Sequence, residues 1–94
     1  MKHYIIAKLK EGYDREALAA PVREIFEQTL EIPGVHAVRV KPCCIDRANR
    51  YDLMIEIDMD REALEAYDQS APHRKWKETY GEMLSAKTIF DSEE

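Results

Sequence analysis

Apolar and polar positions change period several times along this chain, and each change marks an element. Over residues 3–10, His3, Ile5, Ala7 and Leu9 fall on one side while Tyr4, Ile6 and Lys8 fall on the other. Both sides carry apolar groups near the middle, which predicts a strand covered on two faces. Gly12 ends it, and Asp14 is placed to cap the next element. Leu18, Val22, Ile25, Phe26 and Leu30 then recur at helical spacing. They predict one element over 14–31, with a kink or break near residue 20 because Pro21 lacks an amide hydrogen and pushes Ala20 away from α geometry.

Ile32-Pro33-Gly34 stops that element, and the β-branched stretch 35–41 predicts a second strand. Residues 42–49 read as a loop. In the third strand Tyr51, Leu53, Ile55, Ile57 and Met59 alternate with Asp52, Met54, Glu56 and Asp58, giving one apolar and one largely polar face. Asp60 is expected to cap a short helix reaching Tyr67. Ser70-Ala71-Pro72 interrupts it, and Pro72 suits the first turn of another helix. There His73, Trp76, Tyr80 and Met83 or Leu84 share a stripe. Residues 86–90 predict a last strand, and the acidic residues 91–94 a frayed, solvated end.

The order β-α-β-β-α-α-β predicts an α+β fold, a ferredoxin-like antiparallel sheet with its helices on one face. The other face would still carry Tyr4, Ile6 and Met54. A second copy of the chain is the simplest cover.

Composition narrows the classes. Ninety-four residues suit a single domain over 1–94. A domain of this size buries only about 60–65% of its unfolded surface, so a partner would add to a modest core. Hydrophobic residues make up 45% and charged residues 35%, which excludes both disorder and a membrane-embedded chain. No apolar run reaches bilayer length and no signal-peptide pattern precedes the first strand, so a cytoplasmic protein is expected. The net charge is −5, and basic residues are interleaved with acids, as in Arg23-Glu24 and Lys75-Trp76-Lys77-Glu78. No basic face forms that would displace counterions from phosphate, so nucleic acid is not an expected partner. Cys43 and Cys44 are adjacent, without CxxC spacing or a second ligand cluster, and read as reduced thiols in a loop rather than a metal site. No nucleophile elbow, P-loop or dinucleotide fingerprint is present, and no cofactor or metal is expected.

Several segments together carry a resemblance. Lys2-His3-Tyr4-Ile5-Ile6, Ile32-Pro33-Gly34-Val35, Arg50-Tyr51-Asp52-Leu53, Ala63-Leu64-Glu65-Ala66-Tyr67, Pro72-His73 and Thr88-Ile89-Phe90-Asp91, in that order and spacing, resemble the stress-responsive A/B barrel (Dabb) family. The resemblance implies a homodimer whose two sheets face each other to form a dimeric α/β barrel, helices outside, and a cleft between sheet and helices in each subunit. The family includes stress-induced proteins and cofactor-free relatives, among them polyketide cyclases that run an aldol-type ring closure. In those cyclases a tyrosine and a histidine six residues later form an acid–base pair, which implies that role for Tyr67 and His73. A first-strand histidine in the cyclase cleft matches His3. Two departures imply a different substrate: a strand histidine of the cyclase pocket falls at Leu53, and the His-Pro-x-His segment becomes Ser70-Ala71-Pro72-His73.

Each candidate carries two readings. His73 titrates near neutrality and sits at a helix start whose dipole favours the neutral base; alternatively it packs at the helix–sheet seam. Tyr67 would donate to a substrate carbonyl, or be a core tyrosine whose hydroxyl reaches the surface. His3, Tyr51, Leu53, Trp76 and Tyr80 are candidates to line the cleft, with Tyr51 expected beside His3. Trp76 and Tyr80 also suit a plain core, and His36 a solvated strand end. The functional readings are cofactor-free acid–base chemistry on a small carbonyl or aromatic ligand, a non-catalytic stress-related or ligand-binding dimer, and a cofactor-free monooxygenase.

Overall fold

The computed structural model describes residues 1–93. β1 (Lys2–Leu9) leads to α1 (Arg15–Glu27), a 3-10 turn (Gln28–Glu31), β2 (Val35–Pro42) and β3 (Leu53–Met59). A 3-10 turn (Arg61–Ala63), α2 (Leu64–Asp68), α3 (Ala71–Tyr80), a last 3-10 turn (Gly81–Met83) and β4 (Leu84–Ser92) complete the order. The four strands form one antiparallel sheet in the order β2-β3-β1-β4. This is the expected ferredoxin-like α+β arrangement.

Alternation decides what each sheet face does. His3, Ile5, Ala7 and Leu9 of β1 and Leu53, Ile55, Ile57 and Met59 of β3 are all buried. They meet Ala19, Val22, Ile25 and Phe26 of α1 and Trp76 and Tyr80 of α3. Phe26 and Trp76 join edge to face, with ring centroids 5.3 Å apart. The outer face stays half-open. Tyr4 and Phe90 are neighbours there at 6.3 Å, and Phe90 is 61% exposed. Lys2 and Arg39 border them with ion pairs to Glu56 and Asp58.

Local chemistry fixes the ends. Asp14 caps α1 as expected, its carboxylate accepting from the amides of Glu16 and Ala17. Ser70 caps α3 by accepting from the His73 amide at 3.3 Å. Gly34 turns at φ +93°, where an added Cβ would stand 3.0 Å from the Ala63 side chain.

Four expectations are corrected. α1 runs unbroken through Pro21, because its buried stripe on both sides of the proline holds the helix together through one missing hydrogen bond. Asp60 makes no side-chain cap and instead accepts from His36 Nε2 at 3.0 Å. The regular third strand starts at Leu53 and not at Tyr51, although the Asp52 backbone still bonds to Ala7 and Cys43 and its carboxylate accepts from the Leu9 amide and Arg15. The last strand runs on to Ser92, so Asp91 belongs to the sheet and not to a solvated tail.

Candidate functional site

A cavity of about 250 Å³ opens between the β1–β4 edge of the sheet and helices α2 and α3. His3, Ile5, Leu64, His73, Trp76 and Ile89 line it, together with Asp68, Asp91 and Lys87. Strand register explains the sheet wall. His3 faces Asp91, Ile5 faces Ile89 and Ala7 faces Lys87 across the β1–β4 pair, all on the helix side.

Three of the predicted site residues come together. The Tyr67 ring lies 5.3 Å from His3 and 4.9 Å from His73, centroid to centroid, and is wholly buried. Its hydroxyl does not reach the surface. Among the described residues it is the one buried side-chain polar atom without a hydrogen-bond partner. Burial, reinforced by the charges of Asp68 and Asp91, pushes its pKa well above the usual phenol value, so the group stays a donor.

His73 Nδ1 lies 2.9 Å from the Asp68 carbonyl oxygen. A carbonyl only accepts, so Nδ1 carries the proton and Nε2 keeps its lone pair. Burial lowers the His73 pKa, with help from Lys77 and Lys87 and against the pull of Asp68 and its carbonyl. Half-exposed and neutral, the imidazole is equipped to accept a proton from a molecule in the cavity.

His3 is 5% exposed, and its Nδ1 donates to Asp91 Oδ1 at 2.5 Å. Asp91, with Asp68 and Lys87, is among the site residues that sequence reasoning misses. Lys87, Ile89 and Asp91 continue the alternation of the last strand, and a buried histidine needs a partner. Those two signals together would find it.

The remaining candidates scatter. Trp76 lines the cavity, while Tyr80 packs behind it, 5.7 Å from the Trp76 ring. Tyr51 is not beside His3. The β1–β3 register sets His3 against Ile57 and Ala7 against Leu53, so Tyr51 and Leu53 lie at the far end of the sheet. There they border a second cavity of about 260 Å³ with Ile6, Met54 and Cys43, and Lys8 stands 5.9 Å from the Tyr51 ring. Cys43 and Cys44 are both free thiols. No group of three or more His, Cys, Asp or Glu among the described residues is arranged to hold a metal. No helix among them is long and apolar enough to cross a membrane.

No family model and no curated protein matches the chain. Solved structures do. A dimeric ferredoxin-like protein of unknown function from Bacteroides fragilis superposes with a TM-score of 0.79 at 13% identity, covering 99% of this chain and 94% of that one. Another dimeric ferredoxin-like protein, from Thermobifida fusca, gives 0.78 at 16%, covering 95% and 85%. A protein from Nitrosomonas europaea, assigned by name to the antibiotic biosynthesis monooxygenases, gives 0.73 at 18% over the whole of both chains. At these identities the likeness is one of fold: the chain has the ferredoxin-like architecture of proteins described as dimers.

Proposed function

We propose that this chain is a homodimer of the Dabb type whose sheet–helix cavity performs cofactor-free acid–base chemistry on a small carbonyl compound. His73 Nε2 takes a proton from the carbon next to a carbonyl, and Tyr67 donates a hydrogen bond to that carbonyl oxygen as it becomes an enolate. The enolate then attacks a second carbonyl, as in a cyclase, and His73 returns the proton to the new alkoxide; where the substrate carries a neighbouring double bond, the dienolate is instead reprotonated by His73 at its γ-carbon, as in an isomerase. The Asp91–His3 pair holds the second imidazole against Tyr67. The Tyr67 hydroxyl is closed off from solvent, so meeting a carbonyl requires the packing around it to open. The observation that carries the reading is the buried Tyr67, whose ring packs against both histidine rings that line the cavity and whose hydroxyl has no partner among the described residues. A stable core rarely leaves such a group unpaired unless something else is to meet it.

The dimer rests on the half-open outer face, where Tyr4, Ile6, Met54 and Phe90 carry apolar surface, and on the dimeric description of two structural neighbours. Light scattering at micromolar concentration is expected to return twice the 11.0 kDa of one chain. A monomer contradicts the proposal.

The chemistry is tested by a thermal-shift screen of small carbonyl and aromatic compounds on the protein and on His73→Ala. A ligand at about 100 times its Kd stabilises a fold by roughly 2.7 kcal/mol. A hit that disappears in His73→Ala supports the reading. A hit that His73→Ala leaves untouched, with no turnover of the compound, favours the second reading, a non-catalytic ligand-binding dimer. That Tyr67 does not itself line the cavity speaks for that alternative.

A further inference from the structure

We propose that Lys87 gives the cavity its specificity, by anchoring a carboxylate on the far end of a small oxo-acid whose carbonyl lies at Tyr67 and His73. The inference rests on the acid–base reading of the site and adds the chemical class of its substrate.

Lys87 occupies an unusual place. It stands on the helix-facing side of β4, opposite the fully buried Ala7, and is itself exposed. From there it lines the cavity, and it forms no ion pair among the described residues. Its charge nevertheless reaches the site, since it is one of the groups that act on His73.

Two carboxylates share the cavity with Lys87. Asp91 is tied to His3 at one end of the sheet wall. Lys87 lies four residues away on the same strand, about 13 Å along it at strand rise. Asp68 stands on the opposite, helical wall, beside His73. An anionic substituent is therefore repelled from the helical wall and drawn to the sheet wall at Lys87, while Ile5, Ile89 and Trp76 offer apolar contact between the two ends. About 250 Å³ equals roughly eight water molecules at liquid volume. The substrate class is thus a short oxo-acid with a few methylenes between carbonyl and carboxylate.

The test uses 5-oxohexanoate and its neutral isostere 5-oxohexanamide, each titrated into isotopically labelled protein and followed by NMR. The carboxylate is expected to bind about five- to tenfold more tightly than the amide, the gain of a charge-assisted contact at a partly exposed site. Lys87→Met is expected to abolish that preference and leave the amide's Kd unchanged, whereas Lys87→Arg keeps it. Raising the salt concentration should shrink the preference in the unmodified protein.

Equal affinities, or a preference that survives in Lys87→Met, overturns the proposal. Increased self-association of Lys87→Met without any change in preference also overturns it, and would make Lys87 a guard of the sheet edge. If the amide binds and its effect on the His73 signals is lost in Tyr67→Phe, yet the carboxylate gains nothing, the acid–base site stands and Lys87 falls. If neither probe perturbs His3, His73 or Trp76, both readings fall together.

Discussion

Tyr67→Phe is expected to make the protein more stable and, on any compound it turns over, less active. An unpaired buried hydroxyl costs about 1–3 kcal/mol in lost hydration, and Phe fills the same volume without that polar atom. A gain of about 1 kcal/mol raises the melting temperature of a domain this size by roughly 4–8 °C. Removing one donor from a developing oxyanion lowers turnover by roughly 10²–10³-fold. The opposite signs discriminate, because a merely structural tyrosine predicts no loss of turnover. A lower melting temperature would mean that the hydroxyl already has a partner, such as a bound water, and would remove the main support for the site.

The same site predicts a pH signature. His73 must be neutral to act as a base, and burial holds its pKa below 6.5. Activity should therefore fall along an acid limb placed below pH 6.5. Below that pH the unfolded chain binds a proton at His73 that the folded protein resists. The stability linked to this residue is thus fully present above pH 6.5 and is lost as pH falls through the lowered folded value. His73→Gln should flatten that part of the stability profile.

Phe26→Ala carries the largest expected loss of stability. Phe26 is fully buried between α1 and α3, its ring edge to face with that of Trp76. Such truncations cost about 3–5 kcal/mol, from lost transfer energy and from the void left behind. Small domains have about 5–15 kcal/mol in all, so the variant should stand near its unfolding midpoint in mild denaturant. Phe26→Leu, which keeps most of the volume, should lose less than about 1.5 kcal/mol. A loss below about 1 kcal/mol for the alanine variant would mean that the α1–α3 seam is not the centre of the core. Trp76 also lines the cavity, so loosening this seam should weaken ligand binding at a distance.

Most elements are legible in the sequence because one face of each is buried and the other is not. The alternation over Leu53–Met59 and the helical spacing of Val22, Ile25 and Phe26 translate directly into the observed core. The misplaced features share a cause. Periodicity tells which face a residue occupies and nothing about its position along the strand. Alternation alone therefore sets Tyr51 beside His3, whereas register places it at the opposite end. Pro21 carries a local penalty that the packing on both sides of it overrides. Asp91 sits among acidic neighbours that suggest a solvated tail, although its partner lies 88 residues away on β1. The Tyr67–His73 spacing points to a shared site, but the closing-off of the hydroxyl from solvent depends on tertiary packing alone.

The pairing of the first strand with the last has a consequence for the order in which this molecule is made. β1 lies inside the sheet and β4 covers its open side, with Lys2 opposite Ser92. During synthesis β1 emerges before every other strand and waits for nearly all the rest. Until β4 arrives, β1 is a bare hydrogen-bonding edge and His3 has no carboxylate. Contacts this distant in sequence make folding slow compared with helical bundles of equal size. The candidate site is thus among the last features to assemble, and nascent chains that stall short of β4 should be the species most prone to pair with one another through that edge.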